Sequence, residues 1–228
     1  MNNLELIDIL CTDDFIVKYF NCIDYNTIYH NMQNFTKNRD GKTKNEIWLV
    51  QHSPVFTLGL AGLESHILFN NHSIPIVRCD RGGQVTYHAN GQIIAYVLID
   101  LKREQINTRQ LVTTLENSVI IHLAKYKVNA NNDKDAPGVY VAQKKIASIG
   151  LRIKNNCSYH GISYNIDMDL TPFKYINVCG YQNLEVTQLK DIIQQNINFT
   201  DITTDYLKIL TDELSRLFKQ NKDKSEAN

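Results

Sequence analysis

The chain lacks an excess of charge of either sign. Twenty-four Lys and Arg balance 24 Asp and Glu over 228 residues, whereas a general nucleic-acid binder carries a basic surplus. Nucleic acid is therefore not expected as a partner. Paired cysteines are also missing. Cys11, Cys22, Cys79, Cys157 and Cys179 are odd in number, scattered and never spaced Cys-x-x-Cys, which argues against a disulfide framework or a zinc ribbon. No His-Glu-x-x-His, Gly-x-Ser-x-Gly or phosphate-loop pattern occurs, so neither a metal nor a diffusible cofactor is expected. Long apolar runs are absent as well. The longest, Ile93 to Ile99, is far short of the about 20 residues that span a bilayer. Met1 to Leu6 has no basic segment followed by an apolar one. The expectation is a cytoplasmic protein without a membrane partner.

What is present reads as a globular mixture, 43% hydrophobic and 21% charged. Ile28, Met32 and Phe35 recur at helical spacing, and Leu111, Leu115, Val119 and Leu123 do so again behind a cap at Asn107 or Thr108. A third helical stripe places Tyr206, Ile209, Leu210, Leu214 and Leu217 on one face of the segment 201–218. Strands are predicted at 46–51, 74–79, 92–101, 139–141, 145–153 and 159–167. The run 92–101 is so continuously apolar that it suits a strand covered on both faces. Strands in neighbouring runs with helices at the beginning, middle and end predict an α+β fold, a mixed β-sheet flanked by helices. No linker divides the chain, so one domain over residues 1–228 is expected, with a polar tail fraying from about 219.

Three loops concentrate chemistry. In Arg81-Gly82-Gly83-Gln84-Val85-Thr86-Tyr87-His88, paired glycines let backbone approach a ligand, and the arginine suits a carbonyl, carboxylate or phosphate. The same residues also make an ordinary turn with a solvated arginine. Lys144-Lys145-Ile146-Ala147-Ser148-Ile149-Gly150 sends lysines into a strand, where desolvation lowers a lysine pKa, or where charge protects an edge. Cys179 in Val178-Cys179-Gly180-Tyr181 is either a buried hydrophobe or a nucleophile with backbone N–H groups nearby. Residue spacing does not show that Lys145 and Cys179 meet. His88 and His160 leave a Cys–His pair open.

Together these motifs are more specific than any one alone. Gln51-His52-Ser53-Pro54, then Arg-Gly-Gly-x-x-Thr-Tyr-His at 81–88, Pro137-Gly138-Val139-Tyr140-Val141 with Lys145-Ile146-Ala147, His160-Gly161 and Cys179-Gly180-Tyr181 follow one another in an order that resembles the lipoyl(octanoyl) transferases. The likeness runs from about Trp48 to Leu189. It implies a catalytic domain like that of the biotin and lipoate protein ligases. It also implies transfer of an octanoyl group from octanoyl-acyl carrier protein to a lysine of lipoyl domains, those of 2-oxoacid dehydrogenase E2 subunits and of the glycine cleavage H protein.

By that resemblance Cys179 is the acyl-thioester nucleophile, and Lys145 holds it as a thiolate and serves as general acid and base. The substrate pocket is implied at Arg81, Gly82, Gly83, Gln84, Val85, Thr86, Tyr87 and His88, at Ser148, Ile149 and Gly150, and at Gly161, Ile162 and Ser163. A monomer is implied too. The chain departs from the family's pattern at Ala89, where glycine is usual and where positive φ would cost on the order of 1 kcal/mol, and at Val178, where proline is usual. Basic patches at Lys102, Arg103 and Arg109, or from Lys37 to Lys44, are the expected landing sites for an acidic carrier. The rival readings are an ATP-dependent lipoate ligase on the same fold and a non-catalytic binder of lipoyl domains or acyl carriers.

Overall fold

The computed structural model describes residues 6–69, 73–193 and 195–226. An antiparallel pair, β1 (Leu6–Cys11) and β2 (Phe15–Ile23), comes first. Helix α1 (Tyr25–Asn38) starts where the Asp24 side chain accepts from the Thr27 N–H, a normal acidic N-cap. It crosses to β3 (Asn45–His52), which runs parallel to β2. Three short strands, β4 (Val55–Leu58), β5 (Ile76–Arg78) and β6 (Val85–His88), form a separate sheet in the order β5-β4-β6.

The larger sheet resumes with β7 (Gln92–Leu98). Helix α2 (Thr108–Lys125) follows, and its cap is Asn107: the Asn107 side chain accepts from the Gln110 N–H while the Gln110 side chain accepts from the Asn107 N–H. Strands β8 (Asn131–Asn132), β9 (Gly138–Val141), β10 (Lys144–Lys154) and β11 (Cys157–Asn165) complete an eight-stranded sheet in the order β1-β2-β3-β7-β11-β10-β9-β8. Short 3₁₀ turns at Thr171–Tyr175 and Val178–Gly180 precede α3 (Leu189–Ile193) and the long α4 (Phe199–Glu226).

Strand alternation divides this sheet into two faces. Ile47, Leu49, Ile93, Ala95 and Val97 lie under α2 and α4, whose Leu111, Leu115, Val119, Tyr206, Leu210 and Leu214 are fully covered. Trp48, Val50, Ile94, Tyr96 and Leu98 face the other way, against Ile28 and Met32 of α1. β7 is therefore covered on both sides, as its unbroken apolar run predicts. The three-stranded sheet adjoins the α1 side, where Tyr25 packs on Val55 and stacks at 6.0 Å on His88. Space for a ligand is left between this small sheet, α1 and the centre of the large one.

Two local expectations are revised. The tail does not fray at 219, since α4 continues to Glu226. The Glu104 carboxylate is buried beside Arg103, and Lys222 adds a second cation at 2.8 Å while Gln110 donates to Asn221. Ala89 carries no strain. It is absent from the residues with positive φ and packs beside Phe56 and Phe173, while Gly91 takes the turn at φ 83°, where a Cβ would meet the Asp167 carbonyl oxygen at 1.8 Å.

The interior holds several histidines in neutral form. Burial pushes His52 and His122 down to about 4 and His88 to about 3. Above pH about 6.5 such a residue is neutral in both folded and unfolded chains. Below that pH only the unfolded chain takes up the proton, so each histidine removes up to about 1.4 kcal/mol of stability per pH unit until its folded pKa is reached. We expect Tm to drop by at least about 5 °C between pH 7 and pH 5. Thermal melts at the two pH values check this, and equal midpoints would contradict it.

Candidate active site

Lys145 stands at the entrance of β10, yet it is only 2% exposed. Two β10 residues oppose one of β9 between Lys145 and Ala147, a bulge that re-aims the side chain. Its Nζ donates to the Pro137 carbonyl at 3.0 Å and to Cys179 Sγ at 3.1 Å, and lies 5.3 Å from the centre of the Tyr140 ring. Gly138, at φ 147°, leaves room for it, because a Cβ there would come within 2.5 Å of Lys145 Cε. Lys144 points outward and pairs with Glu185 at 2.7 Å.

The electrostatics of Lys145 differ from the simple expectation of desolvation. Burial does act to lower its pKa, but the pull of the Cys179 sulfur and the Tyr140 oxygen on the ammonium outweighs it, and the value rises above that of an ordinary lysine. The ammonium is thus the resting form.

Cys179 is half-buried with left-handed backbone, φ 55° and ψ 18°, and Gly180 continues the turn at φ 81°. Such geometry is uncommon outside glycine and needs support from its surroundings. Val178 provides it by packing into the cluster of Val85, Phe173 and Ile176. The Gly180, Tyr181 and Lys145 N–H groups are already committed to the carbonyls of Asn177, Val178 and Glu185. These three N–H groups are therefore engaged with the chain's own carbonyls in the resting fold.

A cleft opens beside Cys179, with about 480 Å³ of empty space including its mouth. Gly83, Gln84, Val85, Thr86 and His88 line one wall; Ser148 and Gly150 of β10 meet Ser163 and Gly161 of β11 on another. Ile149 and Ile162 border it, although they belong to the core under α2 and α4. Two expected pocket residues do not line the cleft. Gly82 spends its N–H on the Leu151 carbonyl, docking the loop on β10, and Tyr87 turns away to pack on Phe56 and Phe173.

Arg81 does border the cleft, but its guanidinium is used internally. It donates to the Thr57 carbonyl and hydroxyl and to the Gly82 and Gln84 carbonyls. It therefore shapes the loop and has no free fork for an anion.

Residue spacing missed Tyr25, Ile94 and Tyr96, which gather at the deep end of the cleft with His160, a residue singled out only as a possible partner for a cysteine. His160 reaches it because its backbone is left-handed at φ 59°, so Tyr159 and His160 lie stacked on the same side of β11 at 5.1 Å. Gly161 permits the kink, since a Cβ would meet the Ala95 carbonyl oxygen at 1.9 Å. Asp80 accepts from His160 Nε2 at 3.1 Å and from the Tyr159 hydroxyl. Burial would raise the Asp80 pKa, but these hydrogen bonds hold it well below the usual carboxylate range. Glu116 of α2 was missed as well. Its carboxylate accepts from the Gly138 N–H at 3.0 Å and from Asn132 at 2.8 Å, fixing the turn whose Pro137 carbonyl holds Lys145.

No cluster of three or more His, Cys, Asp and Glu fit to hold a metal is found among the described residues. The same residues contain no helix long and apolar enough to cross a membrane.

Comparison with known proteins agrees with this architecture. Residues 24–211 match the sequence model of the lipoyl protein ligase A/B catalytic domain. An octanoyltransferase of Haemophilus influenzae (strain PittEE) is 54% identical over 182 residues, covering 79% of this chain and 85% of that protein. In fold alone, lipoate-protein ligase A bound with ATP superposes with a TM-score of 0.70 at 11% identity, over 94% of this chain and 95% of that one. Biotin protein ligase from Aquifex aeolicus in complex with biotin and ATP gives 0.55 at 14% identity, over 93% and 77%. The extent of the domain match, joined to the identity with a curated octanoyltransferase, means that the chain belongs to the family of octanoyltransferases built on the lipoyl protein ligase A/B catalytic domain.

Proposed function

We propose that the chain transfers an octanoyl group from octanoyl-acyl carrier protein to a lysine of a lipoyl domain, in lipoate biosynthesis, through a thioester on Cys179. The observation that carries this reading is the 3.1 Å contact between Lys145 Nζ and Cys179 Sγ at the edge of a cleft. Membership of the octanoyltransferases supplies the acyl group and the reaction class.

The chemistry proceeds in two halves. The Cys179 thiolate attacks the donor thioester, a carbonyl–Sγ bond forms, and the donor's own carbon–sulfur bond breaks. The departing thiolate takes a proton from the Lys145 ammonium, which leaves Lys145 neutral. An incoming lysine amine then attacks the acyl-enzyme and gives its proton to Lys145 as the amide forms. The carbon–Sγ bond breaks, and the thiolate–ammonium pair is restored. Amide formation from a thioester runs downhill, so no ATP enters.

Lys145 changes role without moving. Its raised pKa depends on the thiolate at Cys179, and acylation removes that charge. Burial then acts with less opposition and favours the neutral amine, the form the second half requires. The acid of the first step becomes the base of the next.

Two measurements test the scheme. Intact mass after mixing with octanoyl-acyl carrier protein should show one octanoyl adduct on the native chain and none on Cys179→Ala. Lipoylation from free lipoate and ATP with no acyl donor would instead establish the ligase reading. Lys145→Arg keeps the cation but cannot give up a proton near neutral pH. It should still form the adduct, because the donor sulfur can depart as a thiolate and take its proton from water, while transfer to the lipoyl domain falls by at least about 100-fold. Full transfer by Lys145→Arg would remove the lysine from proton transfer.

A further inference from the structure

Nine large hydrophobic residues stand exposed among the described ones, and five of them surround the loop that carries Cys179. They are Leu60, Leu63, Leu68, Phe69 and Tyr181, exposed by 47–62%. Backbone contacts hold them there. Leu60 and Leu63 sit on the connection from β4 to β5, whose N–H groups donate to the Arg81 carbonyl at 2.9 Å and to the Gln84 side chain at 3.2 Å. Leu68 donates its N–H to the Tyr175 carbonyl at 2.8 Å, and Phe69 packs edge-on against Tyr175 at 5.3 Å.

His66 lies between these two pairs and accepts the Asn177 N–H on its carbonyl. Gly180 is wedged between His66 and Gln84, so the reactive turn is centred in the apolar rim. Tyr181 extends the rim on the far side of Cys179, its hydroxyl donating to the Asp135 carbonyl. Large apolar side chains left exposed around one reactive turn mark a protein-binding face.

The basic patches expected to receive a partner lie elsewhere. Arg103 donates to the Thr43 carbonyl and the Asn45 side chain and pairs with Glu104, which ties Lys102 and Arg103 to the turn after α1. That corner adjoins Cys157 through the Asp100 bridge, at the opposite end of β10 and β11 from Lys145. It is remote from the reaction.

Reach selects the occupant. A lysine Nζ is five bonds from its Cα, about 6 Å at covalent bond lengths. A protein that offers this amine to Cys179 must lay its own backbone against the mouth of the cleft. A donor whose thioester rides a long flexible arm needs no such approach. We propose that Leu60, Leu63, Leu68, Phe69 and Tyr181 form the docking face for the folded acceptor domain, seated with its acceptor lysine over Cys179. This rests on the transfer reading above.

Two variants test it, Leu60→Glu with Leu63→Glu, and Leu68→Ser with Phe69→Ser. Three readouts are needed: octanoyl adduct formed from octanoyl-N-acetylcysteamine, transfer from that adduct to a free lysine amide, and transfer to a folded lipoyl domain of an E2 subunit. We expect the first two within about 2-fold of the native chain and the KM for the lipoyl domain raised at least 10-fold, about 1.4 kcal/mol of lost binding. An unchanged KM for the lipoyl domain overturns the proposal. So does a parallel loss of transfer to the free amide, or a raised KM for octanoyl-acyl carrier protein with the lipoyl-domain KM unmoved. If a paired variant fails to form adduct, the single variants Leu63→Ser and Leu68→Ser carry the same comparison. Absence of adduct on the native chain refutes the transfer reading itself, independently of docking.

Discussion

A lysine ammonium held against a cysteine sulfur inside a protein is the constraint around which the rest of this fold is arranged. Burying Lys145 is costly unless every donor finds a partner. The Pro137 carbonyl, the Tyr140 ring and Cys179 Sγ provide them. Each partner comes from a different element, and each needs its own support. Glu116 of α2 fixes the turn at Pro137, β9 pairs with β10 to place Tyr140, and the cluster under Val178 fixes the cysteine. The two sheets and α2 are thus all needed to bring one nitrogen to one sulfur.

The same economy governs the cleft. The large sheet is closed on its α2–α4 face by aliphatic packing, which leaves only the α1 side for a substrate. On that side β10 and β11 contribute serines and glycines where other strands contribute Trp48, Val50 and Ile94. Arg81 draws Thr57, Gly82 and Gln84 together into a rigid wall across the gap. The arginine acts through the loop it folds.

Much of this was legible in the residues. The helices at Ile28, Leu111 and Tyr206 and the strands around Val50, Ile94, Ile149 and Ile162 follow from apolar periodicity, which reports burial directly. The first two strands were not identified, because Phe15–Ile23 interrupts its buried positions with Lys18, Asn21 and Cys22. Cys179 and Lys145 were singled out by motif, but their meeting depends on a sheet crossing and a 3₁₀ turn that spacing does not encode. Glu116 and Tyr25 carried no local signal, since each acts on a segment distant in the chain. Arg81 was legible as important and misleading as to why: a glycine-flanked arginine looks the same whether its donors face a ligand or its own backbone.

The kink at His160 and Gly161 has a consequence for how the cleft can change. In a regular strand, depth and polarity are tuned one side chain at a time, because alternate residues face alternate sides. Here Tyr159 and His160 share a side through the left-handed dihedral of His160, beside Gly161, where β11 passes too close to β7 to admit a Cβ. The deep end is therefore written in the main chain. Point substitutions can retouch its lining, but a cleft of different reach would require β11 to take a different path past β7.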